Sequence, residues 1–304
     1  MTRLIGITRV KNEADFIEYF ARHNFQILDE LYIADDQSSD NTPEIINLLR
    51  QEGMKIELLH INDRTTRLFN LQGQVMTQLM RHAAAKEGTK EGYIFALDAD
   101  EIILGNREET ISQLRALAPD EYGLIKWRTF APINGGLTTS EPIRSLFKPL
   151  LTEQSIFYKA IVPIQLSDSA TITMGNHDIS CEEAKLKPRT LNIELGHFPV
   201  RSADQIISKA LVATHKTHLK KAAETGESYH ILALADNLRK LDYKPTEQEL
   251  TDMALNYLAQ GNSGELDYDF NMEVAFPPIT PSHKAKRINP VRALDELLRD
   301  IIIN

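Results

Sequence analysis

A single cysteine, Cys181, in 304 residues excludes an intrachain disulfide framework and fits a reducing compartment. Positive charge is also in deficit. The 34 Lys and Arg against 43 Asp and Glu give a formal net charge of -9, which excludes broad, sequence-independent binding to nucleic acid, because such binding draws on dense Lys and Arg. Long apolar runs are missing: no stretch approaches the roughly 20 residues needed to span a bilayer. Residues 1–9 lack the charged start and apolar core of a secretory signal. The expected location is therefore the cytoplasm, with peripheral contact at the inner face of the membrane left open. There is no internal repeat or low-complexity tract. What is present is enough chain for a full hydrophobic core, as one large α/β domain or as one such domain with a smaller helical addition.

The first hundred residues alternate short apolar runs with amphipathic ones, the pattern of strands joined by helices in a mostly parallel sheet. Residues 4–7 read as a first strand, 8–12 as a polar turn, and Phe16, Ile17, Phe20 and Ile27 as one face of a helix. Residues 31–34 form a second strand that ends in carboxylates. Thr42 is placed to cap the next helix, with Pro43 at its first position, Ile45, Ile46, Leu48 and Leu49 on its apolar face, and Gly53 closing it. Residues 55–60 fit a third strand, 67–86 a longer helix, and 93–97 a fourth strand that stops at Asp98. From about Trp127 the rhythm loosens, as Pro132, Gly135-Gly136, Pro142, Pro149 and Pro163 break short β-like pieces such as 155–162. Beyond Pro199 the pattern is helical over 203–223, 228–241 and 246–260, the last opened by a capping box from Thr246 to Glu249. Residues 276–281 read as a linker and 291–303 as a final amphipathic helix.

In open α/β sheets ligands gather beyond the carboxyl ends of the strands. The polar residues concentrate there: Thr8, Arg9, Asn12 and Glu13 after the first strand, Asp35, Asp36 and Asp40 after the second, Asp98, Asp100 and Glu101 after the fourth. A lone Asp-x-Asp is most often a solvated turn. Directly after the apolar run Tyr93-Ile94-Phe95-Ala96-Leu97 it is suited to hold Mg2+ or Mn2+, which take one or two carboxylates together with substrate phosphates and water.

Three segments together resemble the family-2 glycosyltransferases, in the branch that includes many bacterial polysaccharide and lipopolysaccharide enzymes. They are Arg9-Val10-Lys11-Asn12-Glu13, Asp35-Asp36-Gln37-Ser38-Ser39-Asp40-Asn41-Thr42 and Leu97-Asp98-Ala99-Asp100-Glu101. The resemblance covers residues 1–105 well and 106–202 in patches. It implies a GT-A-type nucleotide-diphospho-sugar transferase fold with a mostly parallel central sheet flanked by helices. Residues 1–202 would form the catalytic domain (1–105 the nucleotide-sugar half, 106–202 the acceptor half), and 203–304 a helical C-terminal extension. It further implies that Asp35 or Asp36 meets the base or ribose, with Thr8, Arg9 and Glu13 nearby, and that Asp98 and Asp100 meet the metal and diphosphate. The blander roles are a helix N-terminus favoured by Glu13 and a simple turn at Asp40-Asn41.

Gly175-Asn176-His177-Asp178 and Gly196-His197-Phe198-Pro199-Val200-Arg201-Ser202 also look like this branch. An imidazole can complete a metal shell and an arginine fork can hold a diphosphate, so His197 is a candidate metal ligand and Arg201 a candidate diphosphate contact. His177 is the weaker histidine, and a hydrogen-bonded structural role is the alternative for both. Lys209, Lys216 and Lys220 share one helical face; Lys209, nearest Arg201, is the one expected to reach phosphate.

The expected reaction is transfer of a sugar from a nucleoside-diphosphate sugar, UDP favoured through the resemblance, to a saccharide or lipid-linked acceptor, with inversion. Asp178, which adjoins His177, is the first choice for the base that takes the acceptor's proton, and Glu141, in a polar loop beyond the sheet, the second; the family's usual acidic pair before a helix is not evident. The alternatives are a nucleotidyltransferase, against which the missing Gly-rich basic phosphate loop counts, and a non-catalytic nucleotide-sugar-binding module. Self-association through the C-terminal helices is left open.

Overall fold

A computed structural model describes residues 2–62, 72–87, 91–137, 141–153, 157–182, 184–219, 229–257, 264–286 and 289–294, apart from the side chains of 87, 215–219 and 229–232. The first half follows the alternation read from sequence. Strand β1 (Arg3–Val10), helix α1 (Ile17–Asn24), β2 (Glu30–Asp35), α2 (Thr42–Gln51), β3 (Ile56–His60), α3 (Gln72–Glu87) and β4 (Gly92–Ala96) come in that order. β2 and β4 flank β1 in parallel register, and β3 pairs in parallel with β2. β1 is buried along nearly its whole length, as a central strand covered on both faces must be, so its sequence runs apolar rather than alternating.

Several local expectations change. Thr8, Arg9 and Val10 continue β1 instead of turning, because they pair with Ile33, Ala34 and Asp35 of β2. Asn41, not Thr42, holds the cap position of α2; the Thr42 hydroxyl instead binds Asp40 and accepts the Glu13 N–H at 2.9 Å. Leu48 is exposed rather than part of the packed face. Residues 67–71 of the expected third helix, 155–156, 220–223, 228, 258–260 and 295–303 lie outside the described residues.

The sheet is mixed, not mostly parallel. After β4 come β5 (Glu101–Leu104), α4 (Arg107–Arg115), the long β6 (Glu121–Pro132), α5 (Ile143–Leu146), β7 (Phe147–Pro149), β8 (Tyr158–Pro163), β9 (Ala170–Ile172), β10 (Ile179–Cys181) and β11 (Lys187–His197). Nine strands make the main sheet, in the order β3-β2-β1-β4-β8-β6-β11-β5 with β7 on β6, while β9 and β10 form a separate pair. β8 runs antiparallel to both β4 and β6, β11 runs parallel to β6, and β5 runs antiparallel to β11. The parallel reading fails where crossover helices give way to short returns, which allow antiparallel pairing.

This topology sends β4, β6 and β11 in the direction of β1 and β2. Their carboxyl ends therefore share one edge of the sheet with the starts of the reversed strands β5 and β8. Side chains as far apart in sequence as Asp98, Lys159 and His197 thus meet there.

Helices α6 (Ala203–Leu219), α7 (Tyr229–Lys240), α8 (Glu247–Leu255) and α9 (Met272–Ala275) follow. The Thr246–Glu249 capping box of α8 is present as read. A core of Val200, Ile206, Ala210, Leu238, Leu250 and Ala254 joins α6, α7 and α8 to Ala131 of β6. The segment read as a linker is anchored: Phe276 is fully buried, with its ring edge-on to Phe130, Phe198 and His23. Ser282 and His283 donate backbone N–H groups to Glu18 of α1 at 2.8 and 2.9 Å. The prolines after Phe276 shape a strap across α1, not a spacer. No helix among the described residues is long and apolar enough to cross a membrane.

Candidate active site at the carboxyl edge of the sheet

The loop after β4 separates the two carboxylates of the Asp-x-Asp pair. Asp98 faces β8 and the turn before Asp178. Its Oδ1 accepts from Gln72 Nε2 and Asn176 Nδ2, both at 2.9 Å, and its Oδ2 meets Lys159 Nζ. Lys159 has no exposed surface; it also donates to the Gly175 carbonyl at 2.8 Å and lies 3.3 Å from Glu101 Oε1. Glu101, equally buried, accepts the Asp98 N–H at 2.8 Å. Burial, with Asp98 and Asp100 nearby, pushes the Glu101 carboxyl up to about 8 against the opposing pull of Lys159.

Asp100 turns the other way, toward β11 and α6. Lys209 Nζ donates to its Oδ2 at 3.3 Å, Arg201 Nη1 lies 3.8 Å from the same oxygen, and His197 Nε2 lies 3.9 Å from Oδ1. The backbone pins this geometry, because Phe198 N–H donates to the Asp100 carbonyl at 2.9 Å. Burial alone would raise the Asp100 carboxyl, but Lys209, His197, Arg201 and Lys159 outweigh it and hold it well below the usual carboxylate range. His197 stacks on Trp127 with ring centroids 4.7 Å apart. Burial lowers its imidazole to about 4, so the ring is neutral at neutral pH. Its Nδ1 has no hydrogen-bond partner, so no neighbour fixes the tautomer.

Arg201 links this centre to the β1 end. Its guanidinium is buried and forks onto Asp15, with Nε and Nη2 each 3.0 Å from a carboxylate oxygen, while Nη2 also meets Glu13. Burial works against its charge; Asp15, Glu13 and Asp100 outweigh that and raise its pKa. Lys209 is raised likewise, with Tyr257, Asp100 and Glu13 overcoming burial. Both cations are therefore permanent. Glu13 is pushed up to about 8, burial being the largest cause and Arg201 opposing it.

The β2 end forms a second cluster. Asp35 accepts the Ser38 N–H at 3.1 Å and lies 3.3 Å from His60 Nδ1, and Asp36 pairs with Arg9 at 2.6 Å. Thr8 is fully buried, with its hydroxyl among the buried groups lacking a hydrogen-bond partner. Next to Asp35, a cavity of about 400 Å³ is lined by Ala34, His60, Asn62, Val75, Gln78 and His82, among others.

The structure thus brings Asp100, His197, Arg201, Lys209 and Glu13 into one network and sets Asp98 at its side. It does not bring the two expected bases into contact with that network. Asp178 is exposed and accepts from the Tyr122 hydroxyl and from Ile179 N–H at 2.9 Å. Glu141 is exposed on a loop, with Ser145 Oγ 3.3 Å from its carboxylate. His177 serves packing: its Nδ1 meets the Tyr158 carbonyl at 2.9 Å, and its ring lies against Phe157 and Trp127. The side chains of Lys216 and Lys220 lie outside the described residues. Sequence reasoning missed Lys159, Asp15, Gln72, Trp127 and Tyr257. Only Lys159 left a local signal, as the one charge inside the apolar run Tyr158–Pro163.

Among the described residues there is no group of three or more His, Cys, Asp or Glu side chains placed to hold a metal ion. The fit is instead that of two protein ligands. Two metal–ligand bonds of about 2.1 Å each reach across about 4.2 Å at most, so the 3.9 Å between Asp100 Oδ1 and His197 Nε2 admits one shared ion. A neutral imidazole and an ionised carboxylate are the protonation states that metal ligation needs.

No protein-family model and no curated protein sequence matches the chain. Solved structures resemble it in shape. The crystal structure of GalNAc-T7 with UDP, GalNAc and Mn2+ matches at a TM-score of 0.42 and 10% identity, over 80% of this chain and 55% of that one. This chain therefore spans little more than half of that protein's length. The apo crystal structure of mouse xyloside xylosyltransferase 1 matches at 0.26 and 14%, over 41% of this chain and 52% of that one. HddC from Yersinia pseudotuberculosis matches at 0.35 and 6%, over 64% and 92%. At this distance the likenesses carry no argument about chemistry, which rests on the geometry of the site.

Proposed function

We propose that the chain is a glycosyltransferase of GT-A type that moves a sugar from a nucleoside-diphosphate sugar, a UDP-sugar in the first instance, to a saccharide or lipid-linked acceptor. The observation that carries this reading is the surrounding of Asp100: one neutral imidazole and two permanent cations within 4 Å of a strand-end carboxylate. That arrangement suits a metal-bound diphosphate better than a solvated turn. Mn2+ or Mg2+ held by Asp100 and His197 would supply Lewis-acid neutralisation of the leaving diphosphate. Lys209 and Arg201 face the same place, and as fixed charges in a dry site they stabilise negative charge that develops there without reorganising. The half-buried Asp15 and Glu13 hold the Arg201 fork in place. Asp35, beside the cavity lined by His60 and Asn62, is our candidate for the base or ribose contact, with Asp36, Arg9 and Thr8 supporting it.

For the acceptor proton we keep Asp178, which lies two residues from Asn176, a partner of Asp98, ahead of Glu141. A single displacement with inversion follows if one of these acts as base on the face opposite the diphosphate. The test is a donor panel assayed for hydrolysis and transfer with Mn2+, comparing wild type with Asp100→Ala. The reading expects turnover of a nucleoside-diphosphate sugar that the variant loses. Nucleotide binding without turnover would favour a binding module, and selectivity for triphosphates a nucleotidyltransferase.

A further inference from the structure

Lys159 is a fully enclosed cation beside the reaction centre. The Lys159 ammonium donates to Asp98 Oδ2 and to the Gly175 carbonyl, and it lies 3.3 Å from Glu101 Oε1. It also lies 5.6 Å from the centre of the Trp127 ring, whose other neighbour is His197. A carboxylate offers about four lone-pair sites. Gln72, Asn176 and Lys159 take three of those on Asp98, although 34% of the side chain is exposed. Asp98 is reachable by a ligand, but its charge is already matched.

Electrostatics give this arrangement a consequence for cation binding. A divalent ion approaching the metal-free, nucleotide-free protein finds Asp98 paired with Lys159, and Asp100 facing Lys209 and Arg201. Three positive charges thus face three carboxylates, Asp98, Asp100 and the Asp15 on which Arg201 forks, so the ion meets no unbalanced negative charge. The ion gains little until a diphosphate adds negative charge of its own and draws Lys209 and Arg201 toward its oxygens.

We propose that Lys159 is a built-in counter-ion that withholds Asp98 from the divalent cation, so that the cation is held by Asp100 and His197 and is retained only together with the diphosphate. This rests on the reading under Proposed function. The pairing also gives Asp98 a distinct task, since a neutralised carboxylate with one lone-pair site open toward solvent is suited to accept a hydroxyl rather than to ligate a metal.

The experiment is titration of Mn2+, followed by loss of the electron paramagnetic resonance signal of the free ion, with and without UDP. Wild type, Lys159→Met, Lys159→Arg, Asp98→Asn and Asp100→Asn are compared, each checked for a cooperative melt. Wild type is expected to hold Mn2+ at least about tenfold more tightly with UDP than without it, as negative charge added a few ångströms away implies. Lys159→Met is expected to bind Mn2+ without nucleotide about tenfold more tightly than wild type, while Lys159→Arg stays near wild type. In case Lys159→Met does not fold, the asparagine variants decide. Asp98→Asn, which leaves the Lys159 charge unmatched, should weaken Mn2+ retention with UDP by no more than about tenfold, and Asp100→Asn should abolish it. The proposal is overturned if Asp98→Asn weakens Mn2+ retention as much as Asp100→Asn, or if a folded Lys159→Met gains no affinity for Mn2+. In both cases nucleotide binding, measured by calorimetry on the same samples, still stands and the glycosyltransferase reading survives. If neither UDP nor GDP binds with Mn2+ present, the reading and the proposal fall together.

Discussion

The pH dependence of stability in the metal-free protein follows from the carboxyl groups of the network. Glu101 stands at about 8 and Glu13 at about 8, against 4.5 ordinarily. Between those values the folded chain binds more protons than the unfolded one, so stability falls as pH rises, by up to about 1.4 kcal/mol per pH unit for each group. Two buried histidines oppose this. His197 and His23 are each lowered to about 4 from 6.5, so within that interval the unfolded chain binds their protons and stability rises with pH. The depressed Asp100 contributes stability lost only below its ordinary 3.8. The opposing slopes leave a nearly level region from pH 5 to 6.5, followed by a decline to pH 8. Glu101, with no exposed surface, carries most of that decline, and the 22% exposure of the Glu13 side chain screens its share. From pH 6.5 to 8 the loss is about 2 kcal/mol, or a melting point lower by about 3 °C for a chain of this size. The assay is thermal and urea unfolding in EDTA across pH 5 to 8.5, on wild type and Glu101→Gln. The variant, unable to ionise, should match wild type near pH 6.5 and exceed it at pH 8. A wild type that gains stability from pH 6.5 to 8, or a variant with an unchanged slope, would refute the reasoning.

Three substitutions probe other parts of the network. Arg201→Met leaves the half-buried Asp15 and Glu13 without their partner and should cost about 1–3 kcal/mol; adding Glu13→Gln and Asp15→Asn should recover part of the loss in urea unfolding. Lys209→Ala, on a more accessible side chain, should melt near wild type while kcat for the best donor drops about 100-fold. Phe276→Ala should destabilise by about 3–5 kcal/mol, whereas a flexible connector would tolerate it; differential scanning calorimetry separates the two.

The early strands were legible because each is an apolar run, and in a parallel sheet the carboxylates that directly follow β2 and β4 report their ligand-facing ends. Where strands reverse, the pattern stops reporting direction, so the sequence did not reveal that β5, β8 and β11 bring Glu101, Lys159 and His197 to one edge. Asp100, His197, Arg201 and Lys209 stood out by residue type and neighbourhood. Lys159 and Asp15 did not, because a buried charge is visible only through its partners, which lie 61 and 186 residues away in Asp98 and Arg201. Phe276 misled in the opposite sense: the prolines after it suggest a spacer, and only the aromatic cluster of Phe130, Phe198 and His23 shows that the chain is anchored there.

The most direct test of the central claim is the position of the cation itself. Crystals grown with Mn2+ and UDP, measured at the manganese absorption edge, should show one anomalous peak about 2.1–2.3 Å from Asp100 and His197, with Lys209 and Arg201 against the diphosphate. A peak coordinated by other side chains, or UDP bound elsewhere than this edge of the sheet, would contradict the account.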